Sequence, residues 1–277
     1  MATARNGDVE IYYETFGDPS DPTLVLINGL GSQCINYAVE WCEMFVAEGF
    51  HLVRLDNRDT GLSSKLDGVE YDVHDMANDV IAVLDALGVE RAHVMGVSMG
   101  GMIVQRLAID HADRLLTFTS VMSRTGEPGF GDSSPEALAV LMAPPAKSRE
   151  EYIERQVAAL GVYGSIPEWI DGDVARARAA AAYDRCFCPE GVGRQMTAVM
   201  KDGSRDAALR EVRLPALVLH GSRDTLITPS GGQHTAEVIP GARYVEFEGM
   251  GHDYPPAVWK EWVATWSSFV DESTPNQ

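Results

Sequence analysis

Arg91-Ala92-His93-Val94-Met95-Gly96-Val97-Ser98-Met99-Gly100-Gly101 is the stretch whose reading decides the fold. Residues 91–95 read as a short buried strand, and Met102 to Ala108 reads as a helix with an apolar stripe. Between them, Gly96-Val97-Ser98-Met99-Gly100 fits G-x-S-x-G, a pattern that sets a serine on a tight strand-to-helix turn. Glycines at 96 and 100 remove the Cβ atoms that would clash in such a turn. Ser98 Oγ is then expected to stand clear of the sheet, with the helix N-terminus behind it favouring developing negative charge.

Outward from this turn the chain alternates strands and helices. Val9 to Phe16 reads as a first strand, open to pairing as a hairpin. Thr23 to Ile27 is a continuous apolar run, as in a strand buried on both faces of a parallel sheet, and it leads into the glycine-rich loop Asn28-Gly29-Leu30-Gly31-Ser32. Tyr37 to Glu48 has helical periodicity, and Phe50 to Asp56 is the next strand. Val73 to Leu87 is a helix whose Met76, Val80, Val83, Leu84 and Leu87 share one face. Leu115 to Met122 is one more strand. From about Ser123 to Asp206 the rhythm breaks into proline-punctuated helical pieces such as Arg149 to Leu160 and Val174 to Tyr183. It resumes with strands ending at His220 and Phe247 and a final helix, Ala257 to Val270, before a tail from Asp271 expected to fray. The expected architecture is α/β: a mostly parallel, doubly wound sheet from residues 1–122 and 207–277, with a helical cap inserted over 123–206.

Composition excludes several classes of function. The chain has 277 residues, 45% of them hydrophobic, enough for one large α/β domain with an insertion or for two small domains. A net charge of −19 argues against nucleic acid and against an anionic membrane surface. No apolar run is long enough to span a bilayer, and residues 1–8 carry no apolar signal region. Cys34, Cys42, Cys186 and Cys188 are sparse and lack zinc-ligand spacing, so they read as reduced thiols in a cytoplasmic protein that needs no metal.

Two further residues complete a chemical set. The strand ending at His220 leads into Gly221-Ser222-Arg223-Asp224, and the strand ending near Phe247 leads into Gly249-Met250-Gly251-His252. Ser98, Asp224 and His252 therefore each follow the C-terminal end of a separate strand, the edge where open parallel sheets build sites. A serine hydroxyl needs an adjacent base, a histidine can take its proton and return it to a leaving group, and a buried carboxylate orients the imidazole. The oxyanion needs preorganised donors, for which the backbone N–H groups of Met99 and Leu30 are candidates. Asp253 reads as solvated or as a helix-approach residue, and Arg58 and Asp59 as braces of nearby loops. Phe130, Met142, Trp169 and Phe187, with Tyr163, Tyr183, Met196 and Met200, either line an apolar substrate pocket or pack the cap.

In these motifs and their order the chain resembles the α/β-hydrolase fold superfamily over nearly its whole length. Asn28-Gly29-Leu30-Gly31 matches its H-G-x-G loop, with Asn28 where histidine is usual, and Asp56 to Ser63 resembles its D-x-R-G-x-G-x-S stretch. The R-D-x-G variant, with Gly-Val-Ser-Met-Gly-Gly and Gly-Met-Gly-His, is similar to the anthracycline methylesterase-like branch. The resemblance implies a serine hydrolase that cleaves small-molecule carboxylic esters through an acyl-enzyme, without cofactor. Lactone, amide or C–C hydrolysis or perhydrolysis on the same triad, or a non-catalytic binding protein on this scaffold, are the alternatives. The oligomeric state is open.

Overall fold

The computed structural model describes residues 2–274. Eight strands form one sheet in the order β1-β2-β4-β3-β5-β6-β7-β8: β1 Ala2–Asn6, β2 Val9–Phe16, β3 Thr23–Ile27, β4 His51–Leu55, β5 Ala92–Val97, β6 Leu115–Val121, β7 Ala216–Gly221 and β8 Arg243–Phe247. The β1–β2 and β2–β4 pairings are antiparallel, and every pairing from β4 to β8 is parallel. Ten α-helices are seen among the described residues: α1 Val39–Ala47, α2 Val73–Leu87, α3 Met99–Asp110, α4 Pro135–Leu141, α5 Arg149–Tyr163, α6 Gly172–Arg185, α7 Pro189–Asp202, α8 Asp206–Leu209, α9 Pro229–Val238 and α10 Pro256–Ser273.

Strand alternation splits the core into two layers. Val25 and Ile27 of β3 face one side with Val53, Leu55, Val94 and residues of α2 and α3. Leu24 and Leu26 face the other side with Leu52, Met95, Leu217, Leu219 and the Trp41, Phe45, Trp262 and Trp266 rings of α1 and α10. A strand with every residue buried must be covered on both faces, which is why β3 reads as an unbroken apolar run. The ends of α2 are set locally. Asp72 accepts from the Asp75 N–H in a reciprocal capping box, and Gly88 closes the helix in the left-handed conformation.

The structure departs from the sequence reading at both ends. Ala2–Asn6 is a strand paired with β2, although Ala and Asn are poor strand formers; its geometry comes from the ladder to Val9–Tyr13. Asp271 to Ser273, expected to fray, continue α10, where the Glu272 carboxylate meets Arg243 and Ser268. The rest of that tail beyond Thr274 lies outside the described residues. Between β6 and β7 the described chain contains α4 to α8 and no strand. Among the described residues no helix is long and apolar enough to cross a membrane.

A buried ion pair ties the loop after β4 to α2. Arg58 Nε and Nη2 donate to Asp79 Oδ2 and Oδ1 at 2.6 and 2.7 Å, and Asn6 Nδ2 adds a third bond at 2.9 Å. Neither Arg58 nor Asp79 is more than 4% exposed. Removing one charge leaves the other buried without its partner. Asp79→Asn is therefore expected to cost about 3–5 kcal/mol of stability, read as a lower urea midpoint at unchanged slope.

Candidate active site

The sharp turn after β5 is built by steric necessity. Ser98 has φ 58° and ψ −117°, a strained backbone for a residue with a side chain. A Cβ on Gly96 would lie 1.9 Å from the Gly100 carbonyl oxygen, and one on Gly100 would lie 2.1 Å from the Ile27 oxygen. Only glycine fits at either position, so the β5–α3 corner can pack this closely. The turn is pinned from β6 as well: the Ser98 N–H donates to the Val121 carbonyl at 2.8 Å, and Ser123 Oγ donates to the Ser98 carbonyl at 2.8 Å.

Register then decides which loops meet. Ile27 of β3 lies opposite Gly96 of β5, so the Asn28–Ser32 loop emerges beside the turn. A Cβ added to Gly29 would sit 3.2 Å from Ser98 Cβ and 3.7 Å from Ser98 Oγ. The Met99 amide opens α3 and has no acceptor one turn back. Among the described residues neither it nor the Leu30 N–H is given to another acceptor.

On the far side of the sheet edge, Gly221 of β7 is opposite Phe247 of β8. The loops beyond them are laced by Ser222 N–H to Phe247 O at 3.1 Å and Arg223 N–H to Met250 O at 2.9 Å. This lacing delivers His252 to Asp224: Nδ1 is 2.6 Å from Oδ2. An ionised carboxylate only accepts, so Nδ1 carries a proton and donates it to Asp224, which leaves Nε2 as the nitrogen free of this pair. The other oxygen, Oδ1, accepts from the Leu226 and Ile227 N–H groups, each at 2.9 Å. Burial pushes the Asp224 carboxyl up, but the electrostatic pull of His252 and the close approach of the His252 and His220 N–H groups outweigh it and hold it down at about 2. The group is thus ionised throughout the neutral range. Among the described residues Ser98 Oγ takes part in no hydrogen bond, so its link to His252 belongs to the proposal below.

The chain is matched by the family model described as alpha/beta hydrolase fold over residues 22–254. It belongs to that family. It is 34% identical over 276 residues to rhodomycin D methylesterase of Streptomyces peucetius, covering 91% of this chain and 92% of that protein. Identity to rhodomycin D methylesterase of Streptomyces sp. strain C5 is also 34%, over 274 residues and 91% of both chains. Among solved structures, the enol-lactonase of Burkholderia xenovorans LB400 superposes with a TM-score of 0.78 at 25% identity, covering 97% of this chain and 99% of that one. This α/β hydrolase of the anthracycline methylesterase-like branch carries Asp59 where the family pattern has glycine. Asp59 takes φ 70°, and its buried carboxylate receives Arg194 Nε and Nη2 at 2.9 and 2.8 Å, Tyr71 Oη at 2.8 Å and the Leu66 N–H at 2.8 Å. Burial raises its pKa, but these donors, Arg194 foremost, bring it below the usual carboxylate range.

Other residues singled out from the sequence fall in varied places. Asp253 is not solvated: half-buried, it accepts from Ser165 N–H and Oγ at 2.9 and 2.5 Å, and burial raises its pKa. Tyr163 and Trp169 lie against the histidine loop. The Tyr163 ring meets His252 edge-on at 6.1 Å, its carbonyl accepts the His252 N–H at 2.6 Å, and Trp169 packs on Gly249. Phe187 stacks on Tyr183 with centroids 4.7 Å apart. Phe130 stacks instead on His234 of α9, at 3.7 Å and 7°. Met142 is 60% exposed at the end of α4. Cys34 is buried next to Asp56, and burial and that charge push its thiol up, which keeps it from acting as a nucleophile.

His220, read from sequence only as the end of a strand, also touches the set. Its Nε2–H donates to the Ile227 carbonyl at 2.8 Å and lies 3.4 Å from Asp224 Oδ2. Gln195, Arg194 and Arg185 of the helical segment were equally unmarked. Gln195 bonds Gly31, 164 residues away, Arg194 bonds Asp59, 135 away, and Arg185 bonds Gln33, 152 away, and no local pattern announces them.

Proposed function

We propose that this chain hydrolyses small-molecule carboxylic esters, with Ser98 as nucleophile, His252 as general base and acid, and Asp224 as the orienting carboxylate. The observation that carries the reading is the 2.6 Å Asp224–His252 pair at the same sheet edge as a serine held in a strained turn. His252 Nε2 takes the Ser98 proton as Oγ attacks the acyl carbon. The Leu30 and Met99 N–H groups receive the oxyanion. The intermediate collapses, the C–O bond to the alcohol breaks, and His252 returns the proton to the departing oxygen. Water, deprotonated by His252, then attacks the acyl-enzyme, and the carboxylic acid leaves as Ser98 regains its proton.

Similarity to the two methylesterases supports methyl esters as the substrate class. Residues 123–206 act in this reading as a cap over the site, since Tyr163, Ser165 and Trp169 all contact the histidine loop. All four cysteines are free, which supports a reducing, cytoplasmic location. The direct test compares methyl esters, p-nitrophenyl esters of rising chain length, and lactones. Preferential turnover of a lactone, or labelling of Ser98 by a fluorophosphonate without turnover of any ester, would reject the ester assignment.

The same panel examines the cap. Trp169→Ala and Phe187→Ala are each expected to shift the preference between short and long acyl chains by about tenfold, while the rate on acetate esters stays within about twofold. An unaltered ranking would mean that both rings only pack the insertion.

A further inference from the structure

The loop that carries the Leu30 N–H is held from two directions. On its N-terminal side every anchor belongs to the core: Tyr37 Oη donates to the Ile27 carbonyl at 2.8 Å, Asn28 Nδ2 to Leu55 O at 2.9 Å, and Asn57 Nδ2 to Asn28 O at 2.9 Å. Its other half is a four-residue turn closed by Ser32 N–H to Gly29 O at 3.2 Å, with Gly31 at φ 66° in the third position. The central peptide of such a turn, here Leu30–Gly31, is the unit that flips between turn types. Its N–H is held by α7: Gly31 N–H donates to Gln195 Oε1 at 2.8 Å.

We propose that Gln195 is a positioning residue for the oxyanion loop, through which the helical insertion, and not the core alone, sets the Leu30 donor. This deepens the ester-hydrolase reading and rests on it. Gln195 is fully buried, and its amide has one orientation that satisfies both ends. Oε1 accepts from Gly31, and Nε2 donates to the Arg58 carbonyl at 2.8 Å. A flipped amide would set donor against donor and oxygen against oxygen. By holding the Gly31 N–H, Gln195 fixes ψ of Leu30 and φ of Gly31, and with them the turn on which the Leu30 N–H is carried. The neighbouring Arg194 ties the same helix to Asp59 and makes no bond to the oxyanion loop. The two side chains thus separate attachment of the helix from alignment of the donor.

The test compares Gln195→Met with Arg194→Met. Methionine keeps the length and bulk of Gln195 and removes both bonds. The readout is the second-order rate of phosphonylation of Ser98 by a fluorophosphonate, whose phosphoryl oxygen enters the oxyanion hole whatever the natural ester. Loss of a whole oxyanion donor costs about 10²–10³ in kcat. A donor that is loosened but still present should cost about tenfold. Gln195→Met is expected to slow phosphonylation by about that factor and to lower kcat on p-nitrophenyl acetate in parallel, with KM within about twofold. Arg194→Met should stay within about twofold on both rates even where its melting temperature falls as far. An unchanged phosphonylation rate in Gln195→Met, or equal losses in the two variants, would overturn the proposal. If Gln195→Met does not fold, hydrogen exchange in the unaltered chain decides: a protected Gly31 amide supports the bond, and exchange at the rate of a free amide rejects it. A chain that is labelled at Ser98 but inert to every ester would sink the ester reading while leaving the Gln195 comparison intact. A chain not labelled at all would sink both.

Discussion

Ser98→Ala is expected to remove ester hydrolysis and fluorophosphonate labelling together, with kcat falling by roughly 10⁶-fold, about 8 kcal/mol of barrier. The size follows from the mechanism. Without Oγ there is no acyl-enzyme, and what remains is water attack aided by the oxyanion donors alone. The fold should survive, because the features that force the turn are Gly96, Gly100 and the Ser98 backbone bonds to Val121 and Ser123, all of which alanine keeps. Strain at φ 58° persists as well, since alanine has the same Cβ. Labelling of another residue, or ester turnover within about tenfold of the native rate, would show that the nucleophile lies elsewhere.

The second large effect separates two neighbouring acids. Asp224→Asn should lower kcat by roughly 10⁴-fold, about 5 kcal/mol, with little change in melting temperature. The mutant amide Oδ1 can still accept from Leu226 and Ile227, so the loop after β7 remains closed. The group facing His252 Nδ1 then becomes an NH2 donor, which forces the imidazole into the other tautomer and points a proton at Ser98. Asp253→Asn should keep kcat within about fivefold. Its partners, Ser165 N–H and Oγ, both donate to a single oxygen, and asparagine retains such an acceptor. The measurement is kcat for both variants on one p-nitrophenyl ester, with thermal melts alongside. A mild loss at 224 and a severe one at 253 would reassign the acid.

Local pattern was enough for much of this. The helix over Val73–Leu87 was readable to the residue because an apolar face repeats along it and a glycine follows its last residue; the Asp72 capping box at its start came from the structure. The doubly wound sheet was readable because its buried strands are short, mostly apolar runs that alternate with helical segments, β3 being the clearest. Ser98, Asp224 and His252 could be named because each follows a strand within a few residues, where short motifs constrain the backbone. Ala2–Asn6 was invisible as a strand, since its residues have little preference of their own and only the ladder to β2 shapes them.

By itself, then, the amino-acid order determined most of the strands and helices, β1 excepted, and which three side chains follow the strand ends. Tertiary structure alone decided which loops become neighbours, because the strand order β4-β3-β5 and the register Ile27–Gly96 are properties of pairing over tens of residues. It alone showed that Asp253 serves Ser165, 88 residues away, and that Gln195 serves Gly31, 164 residues away. A buried glutamine on a helix reads, in sequence, like any polar residue on a solvated face. Only packing brings it the donor and acceptor that permit its burial.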